Sequence, residues 1–557
     1  MASNAPSPAA DNAESRPHRR LRIAFLGWAQ LSLQERQGTG YNLYASELAA
    51  GLAQHGHELF YLRSGLDYSI GRPLHVQHCE VWRGVCCDHL FNSPNLSPAA
   101  SNFRNMRAEA DSPAQTAAVL AWLDRVRAEL VHVHSLEGFS LDLVGAIRAS
   151  GRAVVVTPHN YWYLCPQVDL LHRESALCDD FEGGLRCPSC VACREPASAR
   201  RRRALRQTLE RVVGAGFVPA IRTRIAVLRA RFRGAATVPA APDAGPSDLF
   251  AGFTPHSDGV FEYGLGLLPG EEPAELGACP IDQNERFLAA KHHTRVENEY
   301  GARRRAGVAA LNQASAILAP SDFLRRAHAA MGVEERRLRT VPYGAPHFDR
   351  LHRRAQGSPF YEMRPWDPHD ARRPLRFAFH GTTRNNKGLL WLLRAIPLLD
   401  PDVRRRCQFV IRAAGWDWPF RKLASPYPEV QFTGGYDALQ LLAAWGEYDV
   451  GILCHVWFDN LPLVMLEHLH GGKFVVSSRL GGPADWLDSR VTGLLYAAGH
   501  PEQLAQCITR LVRGDVTIAS PREIHAAAPL PSFPAHVAQI EEIYLEALDR
   551  DGEPLAS

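Results

Sequence analysis

Two acidic residues, with seven residues between them, stand near a glycine pair in the last third of the chain. Asp459 follows the apolar run DVGILCH, and Glu467 lies on a helix that we expect to begin at Pro462. Proline suits a first helical position because the N–H that it lacks would have no partner there. The free amides of such a helix start can bind phosphate or sugar oxygens. The Gly481–Gly482 turn would let the backbone approach that ligand closely, because glycine has no Cβ.

A lysine that follows a short strand forms a second candidate anion site. Residues 379–396, FHGTTRNNKGLLWLLRAI, indicate a strand, a loop opened by Gly381, then Lys387 and a helix. This order places a cation beside a diphosphate. Arg384 lies in the same loop and could add a second positive charge. The alternative is a surface lysine without a ligand.

Two segments of the first half could bring further groups to the same ligand. Gly38 and Gly40 begin an amphipathic helix, and their backbone could approach phosphates or an acceptor, although an ordinary tight turn also explains them. His159 follows the apolar run AVVVT, where an imidazole can hydrogen-bond a sugar hydroxyl or a developing charge. Ligands of open α/β sheets bind at strand ends, which favours His159 and, more weakly, His134.

A cluster of cysteines predicts a metal site. Cys187-Pro-Ser-Cys190-Val-Ala-Cys193 is a doubled Cys-x2-Cys, and Cys165 and Cys178 precede it. Such a knuckle presents two thiolates to one tetrahedral ion, and a distant pair completes the set. A structural zinc is the leading interpretation. Buried thiols and an iron–sulfur cluster are the alternatives.

Residues 199–234 contain eleven arginines and one acid, Glu210, with apolar residues between them. A solvated surface is one interpretation of this composition, and the alternative is an interfacial segment that is attracted to anionic lipid headgroups. We do not expect a nucleic-acid partner, because the net charge is only +3 and no recognition motif accompanies the arginines.

The elements that must position these groups alternate between short apolar strands and amphipathic helices. This alternation predicts an α/β protein with parallel sheets that are covered on both faces. Two such units in one chain leave a cleft between the carboxyl ends of their strands, where a ligand can bind. The expected divisions are a disordered tail at 1–20, a first domain at 21–320 with an insertion at about 165–283, a second domain at 321–515, and a crossover helix and tail at 516–557.

The length of the chain and its apolar pattern limit the number of domains and the cellular location that we expect. A chain of 557 residues is too long for one core. No apolar run reaches the ~18 to 20 residues of a membrane-spanning helix. The N-terminal stretch has no apolar segment of the signal-peptide type. We therefore expect a cytoplasmic protein, peripheral on the inner face of the membrane if the arginine-rich segment binds lipid.

These motifs resemble glycosyltransferase family 4, whose members have the GT-B fold of two facing Rossmann-like domains. The resemblance covers residues 21–172 and 284–515. The family pattern is Glu-x7-Glu followed by a helix and a Gly-Gly turn, and Lys387 matches the lysine of its "KG" signature. VVVTPHNYWYLCP resembles its "HDYWxLCP" segment. This chain departs from the family at Asp459, Asn160 and Thr382, where glutamate, aspartate and arginine are common.

The resemblance implies a retaining, metal-independent glycosyltransferase that requires no cofactor for catalysis. Asp459 and His159 would orient the donor sugar, Glu467 would bind the ribose, and Lys387 would stabilise the leaving diphosphate. The donor would be a UDP- or GDP-sugar and the acceptor a glycan or lipid-linked molecule in polysaccharide or glycoconjugate biosynthesis. The alternatives are an inactive GT-B module that binds a sugar or partner, and a nucleotide-sugar epimerase. The donor-binding set is Gly38, Gly40, Gly381, Arg384, Lys387, Asp459, Leu463, Glu467, Gly481 and Gly482.

Overall fold

Two sheets of mainly parallel strands form the framework of the chain. The structure is a computed structural model. It describes residues 19–33, 39–98, 106–173, 176–178, 182–190, 196–213, 283–290, 292, 298–370, 372–487 and 490–552.

The first sheet has eight strands in the order β10-β9-β6-β5-β1-β2-β4-β3. All neighbours are parallel except the β3–β4 pair, which is antiparallel. Their bounds are β1 Arg22–Gly27, β2 Glu58–Ser64, β3 His75–Trp82, β4 Val85–Phe91, β5 Leu130–Val133, β6 Ala153–Val156, β9 Ala316–Ala319 and β10 Leu338–Thr340; β7 Leu171–His172 and β8 Ala176–Leu177 form a separate antiparallel hairpin.

The second sheet has six parallel strands in the order β13-β12-β11-β14-β15-β16. Its central strand β14 is buried at every position, because helices cover both faces of the sheet. The strands are β11 Leu375–Thr382, β12 Cys407–Ala414, β13 Val430–Gly434, β14 Val450–Leu453, β15 Phe474–Ser478 and β16 Gly493–Tyr496.

Helices connect most of the parallel strands, and short 3₁₀ turns lie at 182–184, 335–337, 385–387, 396–398, 444–447 and 482–485. In chain order the helices are α1 Thr39–Gln54, α2 Met106–Ala110, α3 Pro113–Val126, α4 Leu143–Ala149, α5 Cys187–Cys190, α6 Pro196–Val213, α7 Gln283–Ala289, α8 Glu299–Gln313, α9 Asp322–Ala330, α10 Pro346–Gln356, α11 Leu389–Ala395, α12 Pro401–Arg404, α13 Trp418–Ala424, α14 Ala438–Ala443, α15 Leu463–His470, α16 Pro501–Arg513, α17 Pro521–Ala527 and α18 Phe533–Gly552.

Eleven apolar runs predict strands, and all eleven strands are present: LRIAFLG, HELFYLR, LVHVH, AVVVT, SAILAPS, LRTVPYG, LRFAFHG, CQFVIRA, VQFTG, DVGILCH and KFVVSS. The first sheet contains two further strands that we did not predict. These are β3 and β4. Strand β3, HVQHCEVW, lies at the edge of the sheet and is largely exposed, so its sequence has no apolar run. Periodicity finds buried strands more readily than such an edge strand. The second sheet adds β16, at its own edge.

The pairing of β10 shows that the first unit does not end at residue 320, where we expected the boundary between the two domains. Strands β9 and β10 are neighbours in the first sheet, although they lie on opposite sides of that boundary. Helix α10 follows β10, and the second sheet begins only with β11. The first unit therefore extends beyond residue 340.

The C-terminal helix α18 returns to the first unit. A Cβ at Gly51 of α1 would stand 2.6 Å from the Phe533 ring, so the two helices are in close contact. The Tyr44 hydroxyl lies 2.8 Å from His536 Nε2, and His132 Nδ1 lies 2.6 Å from the Tyr544 hydroxyl. Buried polar contacts of this kind fix the helix in one orientation.

The predicted insertion at about 165–283 is described only in part. Its described elements are the β7–β8 hairpin, α5, α6 and the first residue of α7. Residues 1–18, most of the predicted tail, and residues 214–282 lie outside the described part of the chain. Among the described residues, no helix has both the length and the apolar character to cross a membrane.

Candidate active site

Lys387 and Asp459 form an ion pair at the carboxyl ends of neighbouring strands. Lys387 follows β11 and Asp459 follows β14, and the two strands are adjacent in the second sheet. Lys387 Nζ lies 2.9 Å from Asp459 Oδ2, and Trp457 Nε1 donates to the same oxygen at 3.0 Å. The carboxylate is buried, whereas the lysine is 34% exposed. The candidate sugar contact and the candidate diphosphate contact therefore adjoin one another.

Gly388 holds the lysine turn against the loop that carries Asp459. Its φ is +71°, and a Cβ there would overlap the Cys454 carbonyl oxygen. The Val456 N–H donates to the Asn386 carbonyl at 3.0 Å, which adds a second backbone link. A glycine after the lysine is thus required by packing, since other residues adopt this φ at a cost and would also collide.

The Gly481–Gly482 turn packs on the acidic loop itself. A Cβ at Gly481 would overlap the backbone of Asp459, and one at Gly482 would overlap the Asn460 carbonyl oxygen. The Gly482 N–H donates to the Asp459 carbonyl at 2.8 Å. The close approach that these glycines permit is thus to residues 459–460, and the ligand contact that we expect for them stays a prediction.

Asn284 ties this turn to the first half of the chain. Its Oδ1 accepts the Gly481 N–H at 2.9 Å, and its Nδ2 donates to the Gly481 carbonyl at 3.2 Å. The Ser321 hydroxyl donates to the Asn460 carbonyl at 2.5 Å. Polar side chains outside the second sheet thus fix the backbone on which Asp459 depends.

Helix α15 begins one residue later than we expected. Pro462 is the N-cap, with an extended backbone, and Leu463 is the first helical residue. A Cβ at Gly40 would lie 2.8 Å from Leu463 Cδ1, so the first turn of α1 contacts the first turn of α15. Two residues of the predicted donor set thereby meet across the two units.

Glu467 shares a histidine with the opposite unit. His347 Nε2 lies 3.3 Å from Glu467 Oε1, and His347 Nδ1 lies 3.1 Å from Glu47 Oε2 on α1. All three side chains are buried. The two carboxylates raise the pKa of His347 to about 9 against the opposing effect of burial. An imidazolium therefore lies between the units near neutral pH.

The Glu467 carboxylate has one further neighbour on the second sheet. The Tyr436 hydroxyl donates to Glu467 Oε2 at 3.4 Å. Burial is the main cause that lowers the pKa of His470, on the same helix as Glu467, to about 3, and the neighbouring histidines, His347 among them, lower it further.

His159 is a neutral imidazole with a partner on each ring nitrogen. Nδ1 lies 2.9 Å from the Tyr343 hydroxyl, and Nε2 lies 3.2 Å from His134 Nδ1. Burial lowers the pKa of His159 to about 3, so the ring carries no charge at neutral pH. Burial is the main cause that raises the pKa of Tyr343 well above its usual range, and Tyr44 and Asp459 add to this effect. A sugar hydroxyl would have to replace Tyr343 or His134 as the partner of His159.

Asn160 suits its neighbour better than the aspartate that is common in the family. Its Nδ2 donates to Glu137 Oε1 at 3.1 Å, and Glu137 is 4% exposed. An aspartate at this position would set two carboxylates against each other in a buried place. This departure is therefore accommodated by the local charge.

The remaining candidates of the donor set take different positions. Gly381 lies within β11 rather than in the loop after it, and a Cβ there would make only ordinary contacts. Arg384 is exposed and precedes the turn that carries Lys387. Gly38 lies outside the described residues.

Several residues at this site were missed by sequence reasoning. Gly388 directly follows the lysine and could have been found from that spacing. His347 and Tyr343 lie between the two alternating units, where nothing in the pattern marks them as functional. Trp457 acts through its hydrogen bond to Asp459, and Asn284 acts through two hydrogen bonds to Gly481, contacts that only the folded chain shows.

Four of the five cysteines surround one small cavity. Cys165, Cys178, Cys187 and Cys190 line it, and the Arg173 N–H donates to Cys190 Sγ at 3.2 Å. Burial is the main cause that raises the pKa of Cys187 to about 11 and that of Cys178 to about 12. In the parts of the chain that the structure describes, no three His, Cys, Asp or Glu side chains are grouped closely enough to hold a metal ion. Cys193 lies outside those parts.

Solved structures with low sequence identity share this fold. Sucrose-phosphate synthase from Thermosynechococcus elongatus superposes with a TM-score of 0.53 at 14% identity, over 95% of this chain and 100% of that one. HepE from Anabaena, in complex with UDP and glucose, gives 0.50 at 11% over 95% and 100%. UDP-forming trehalose-phosphate synthase from Burkholderia xenovorans gives 0.50 at 11% over 96% and 100%. The fold is GT-B.

Two family profiles match separate halves of the chain. Glycosyltransferase Family 4 matches residues 38–213, and Glycosyl transferases group 1 matches residues 374–514. No protein with a curated description matches the chain. The chain belongs to these glycosyltransferases, as its motifs predict.

The glycine turn yields a first prediction. Gly481→Ala should destabilise the fold by about 2 to 4 kcal/mol, because φ is +71° and the added Cβ would overlap the Asp459 backbone. The control is Gly446→Ala, where no atom lies within 4 Å of the added Cβ, and it should change stability by less than ~0.5 kcal/mol. Urea unfolding followed by tryptophan fluorescence measures both. Equal stability of the two variants would contradict the packing argument.

The second prediction concerns pH. The folded-state pKa of His347 is about 9, above the ordinary 6.5, so its stabilising effect is complete below pH 6.5 and is lost as pH rises through 9. The stability difference between the unmodified chain and His347→Gln should thus shrink by about 2 kcal/mol from pH 7.5 to 10.

His328→Gln is the matched control for this pH effect. His328 is buried, and burial lowers its pKa to about 4, so it is neutral throughout that range. Its stability difference should be constant from pH 7.5 to 10. If the His347→Gln difference were also constant, His347 would not be an imidazolium between Glu47 and Glu467.

Proposed function

We propose that this glycosyltransferase moves a sugar from a UDP- or GDP-sugar to a glycan or lipid-linked acceptor in polysaccharide or glycoconjugate biosynthesis. The transfer retains the anomeric configuration, needs no catalytic metal and takes place in the cytoplasm. The observation that carries the proposal is the 2.9 Å pair of Lys387 and Asp459 beside the start of α15. The solved complex of HepE with UDP and glucose favours a UDP-sugar over a GDP-sugar as the donor.

Lys387 is the group that would neutralise the leaving diphosphate. It is half-buried, and it lies 5.3 Å above the Trp457 ring, which restricts where its ammonium can go. A diphosphate would draw the ammonium partly from Asp459, leaving that carboxylate to accept sugar hydroxyls. The first-turn amides of α15 and the Arg384 guanidinium would add to the stabilisation of negative charge.

Glu467 would bind the ribose hydroxyls at the far end of the nucleotide. One of its oxygens faces His347 and the other faces Tyr436, so its orientation is fixed before the donor arrives. His159 is neutral and would act as a hydrogen-bonding group for the sugar, without a full positive charge. Closure of the two units over the donor would exclude water and suppress hydrolysis.

Donor binding separates the roles of these residues. Lys387→Ala should weaken donor affinity by about 10- to 150-fold, which corresponds to ~1.5 to 3 kcal/mol for a charge-assisted contact. Glu467→Gln should weaken the binding of the bare nucleotide and of the sugar donor by the same factor. Asp459→Asn should leave the affinity for the nucleotide unchanged and reduce turnover. Asp459→Glu restores the longer side chain that is common in the family and so tests the effect of the shorter one. Lys422→Ala, an exposed lysine on α13, is the control.

The measurement begins with a thermal-shift screen of UDP-, GDP- and ADP-sugars, since a bound donor stabilises the folded chain. Calorimetry with the best donor then compares the variants. Unchanged donor affinity in Lys387→Ala would remove Lys387 from the site. Donor turnover without any acceptor would favour an epimerase, and binding without turnover would favour an inactive module.

We also propose a structural zinc at the cysteine cluster. The support is the doubled Cys-x2-Cys spacing, the four thiols around one cavity, and the backbone N–H that faces Cys190. The four sulfurs would have to draw together to ligate one ion, and Cys193 is a further candidate ligand. A zinc ion bound there would add folding free energy to a region with few large apolar side chains.

Elemental analysis tests this site. Chain purified without added metal should contain about one zinc, and Cys187→Ser should lower both zinc content and melting temperature while donor affinity is unchanged. Cys79→Ser, an exposed thiol on β3, should change none of these. Iron in the purified chain, together with visible absorbance, would indicate an iron–sulfur cluster instead of zinc. Absence of any metal would leave the cysteines as free thiols.

A further inference from the structure

Helix α6 is docked on the first unit by one face. Ala204 is buried, and three polar side chains on the same side donate to backbone carbonyls of the neighbouring loops. Arg203 donates at 3.0 Å, Gln207 at 2.8 Å and Arg211 at 2.9 Å, all to carbonyls of residues 65–68. Arg203 and Arg211 therefore stabilise the fold through internal hydrogen bonds.

The opposite face of α6 is apolar and exposed. Leu205, Leu209 and Val212 are 54%, 44% and 78% exposed, and their spacing of four and three residues places them in one row along the helix. Arg201 and Arg202 are also exposed, and helical geometry places one on each side of this row. We call this surface, formed by the five residues, the α6 outer face.

A neighbouring loop extends the apolar surface. Ile70 is 57% exposed, and its backbone N–H donates to the Thr208 hydroxyl at 3.4 Å, so it lies next to α6. Four large apolar side chains are thus presented to solvent within one region. Contiguous exposed apolar surface with a charged border is typical of an interaction site.

We propose that the α6 outer face docks on the surface of an anionic lipid bilayer. A bilayer interface accepts apolar side chains into its headgroup region and attracts arginines that flank them, which fits both components of this surface. The other candidate occupants are residues 214–282 of this chain and a second copy of it. Residues 234–282 carry eight acidic residues and no lysine or arginine, so they are the rival occupant that the vesicle experiment must exclude.

The position of α6 relates this surface to the site. The carbonyls that hold α6 belong to the loop directly after β2, and His134 and His159 follow β5 and β6. These strands are parallel members of one sheet, so α6 lies along the same edge as the histidines. The surface would bring this edge towards a lipid-linked acceptor, an extension that rests on the proposed function, whereas docking itself does not.

Vesicle co-sedimentation of the full chain tests the docking. We expect binding to vesicles that contain phosphatidylglycerol or phosphatidylserine and none to phosphatidylcholine alone. Binding should fall as salt rises from ~0.05 to 0.5 M, because the Debye length shortens. Removing two arginines with R201Q/R202Q should weaken partitioning by about tenfold or more, since each basic residue near the surface contributes roughly fivefold.

The apolar component has its own variant and control. L205S/L209S/V212S should reduce vesicle binding by at least about tenfold without lowering the melting temperature, because these side chains are exposed in the fold. Leu439→Ser, 69% exposed on α14, and R336Q/R372Q, whose arginine side chains are 75% and 89% exposed, are the matched controls and should bind as the unmodified chain does.

Three results would overturn the proposal. The intact chain could fail to bind anionic vesicles, which would indicate that residues 214–282 cover the face. Binding could persist undiminished in both α6 variants. Light scattering could show a dimer that L205S/L209S/V212S dissociates, which would assign the face to a second copy. Transfer to a water-soluble acceptor, measured on the same variants, distinguishes loss of docking from loss of the proposed reaction.

Discussion

The loop at 454–461 is held in place by backbone contacts that only glycine permits. Gly388, Gly481 and Gly482 each approach this loop where a Cβ would overlap a main-chain atom. The loop carries Asp459, and Asp459 pairs with Lys387. These glycine contacts therefore determine the geometry of the Lys387–Asp459 ion pair. Backbone contacts of this kind give a rigid support that flexible side chains could not supply.

Charge joins the two units at a second place. His347 lies between Glu47 of α1 and Glu467 of α15, so one imidazolium links the two helices whose first turns also meet through Gly40 and Leu463. An imidazolium between two buried carboxylates is strongly retained, since its loss would leave the carboxylates unpaired. The orientation of Glu467 is therefore coupled to the relative position of the two units. Under the role proposed for Glu467, this coupling would connect ribose binding with closure of the two units.

The first unit contributes neutral hydrogen-bonding groups in contrast to the charges of the second. His159, His134 and Tyr343 form one chain of contacts, and burial keeps the imidazoles uncharged. Asn160 takes the place of an aspartate next to Glu137, which prevents a repulsive pair. The departures from the family pattern at Asn160 and Asp459 are thus matched by their neighbours in this chain.

The sequence by itself determined the class of fold and most of the strands, because buried parallel strands leave continuous apolar runs that glycine-rich turns interrupt. It also marked Asp459, Lys387 and His159, which follow strands, and Glu467, which lies on a helix at a fixed spacing from Asp459. Only the tertiary structure decided which residues these groups contact. The edge strand β3 has no apolar run, and the 338–340 strand could belong to either unit until its pairing was known. His347 acts through partners 300 and 120 positions away in the chain, and the glycine turn packs on the backbone of residues 459–460. Such contacts depend on how distant elements pack, and local residue types carry no record of that packing.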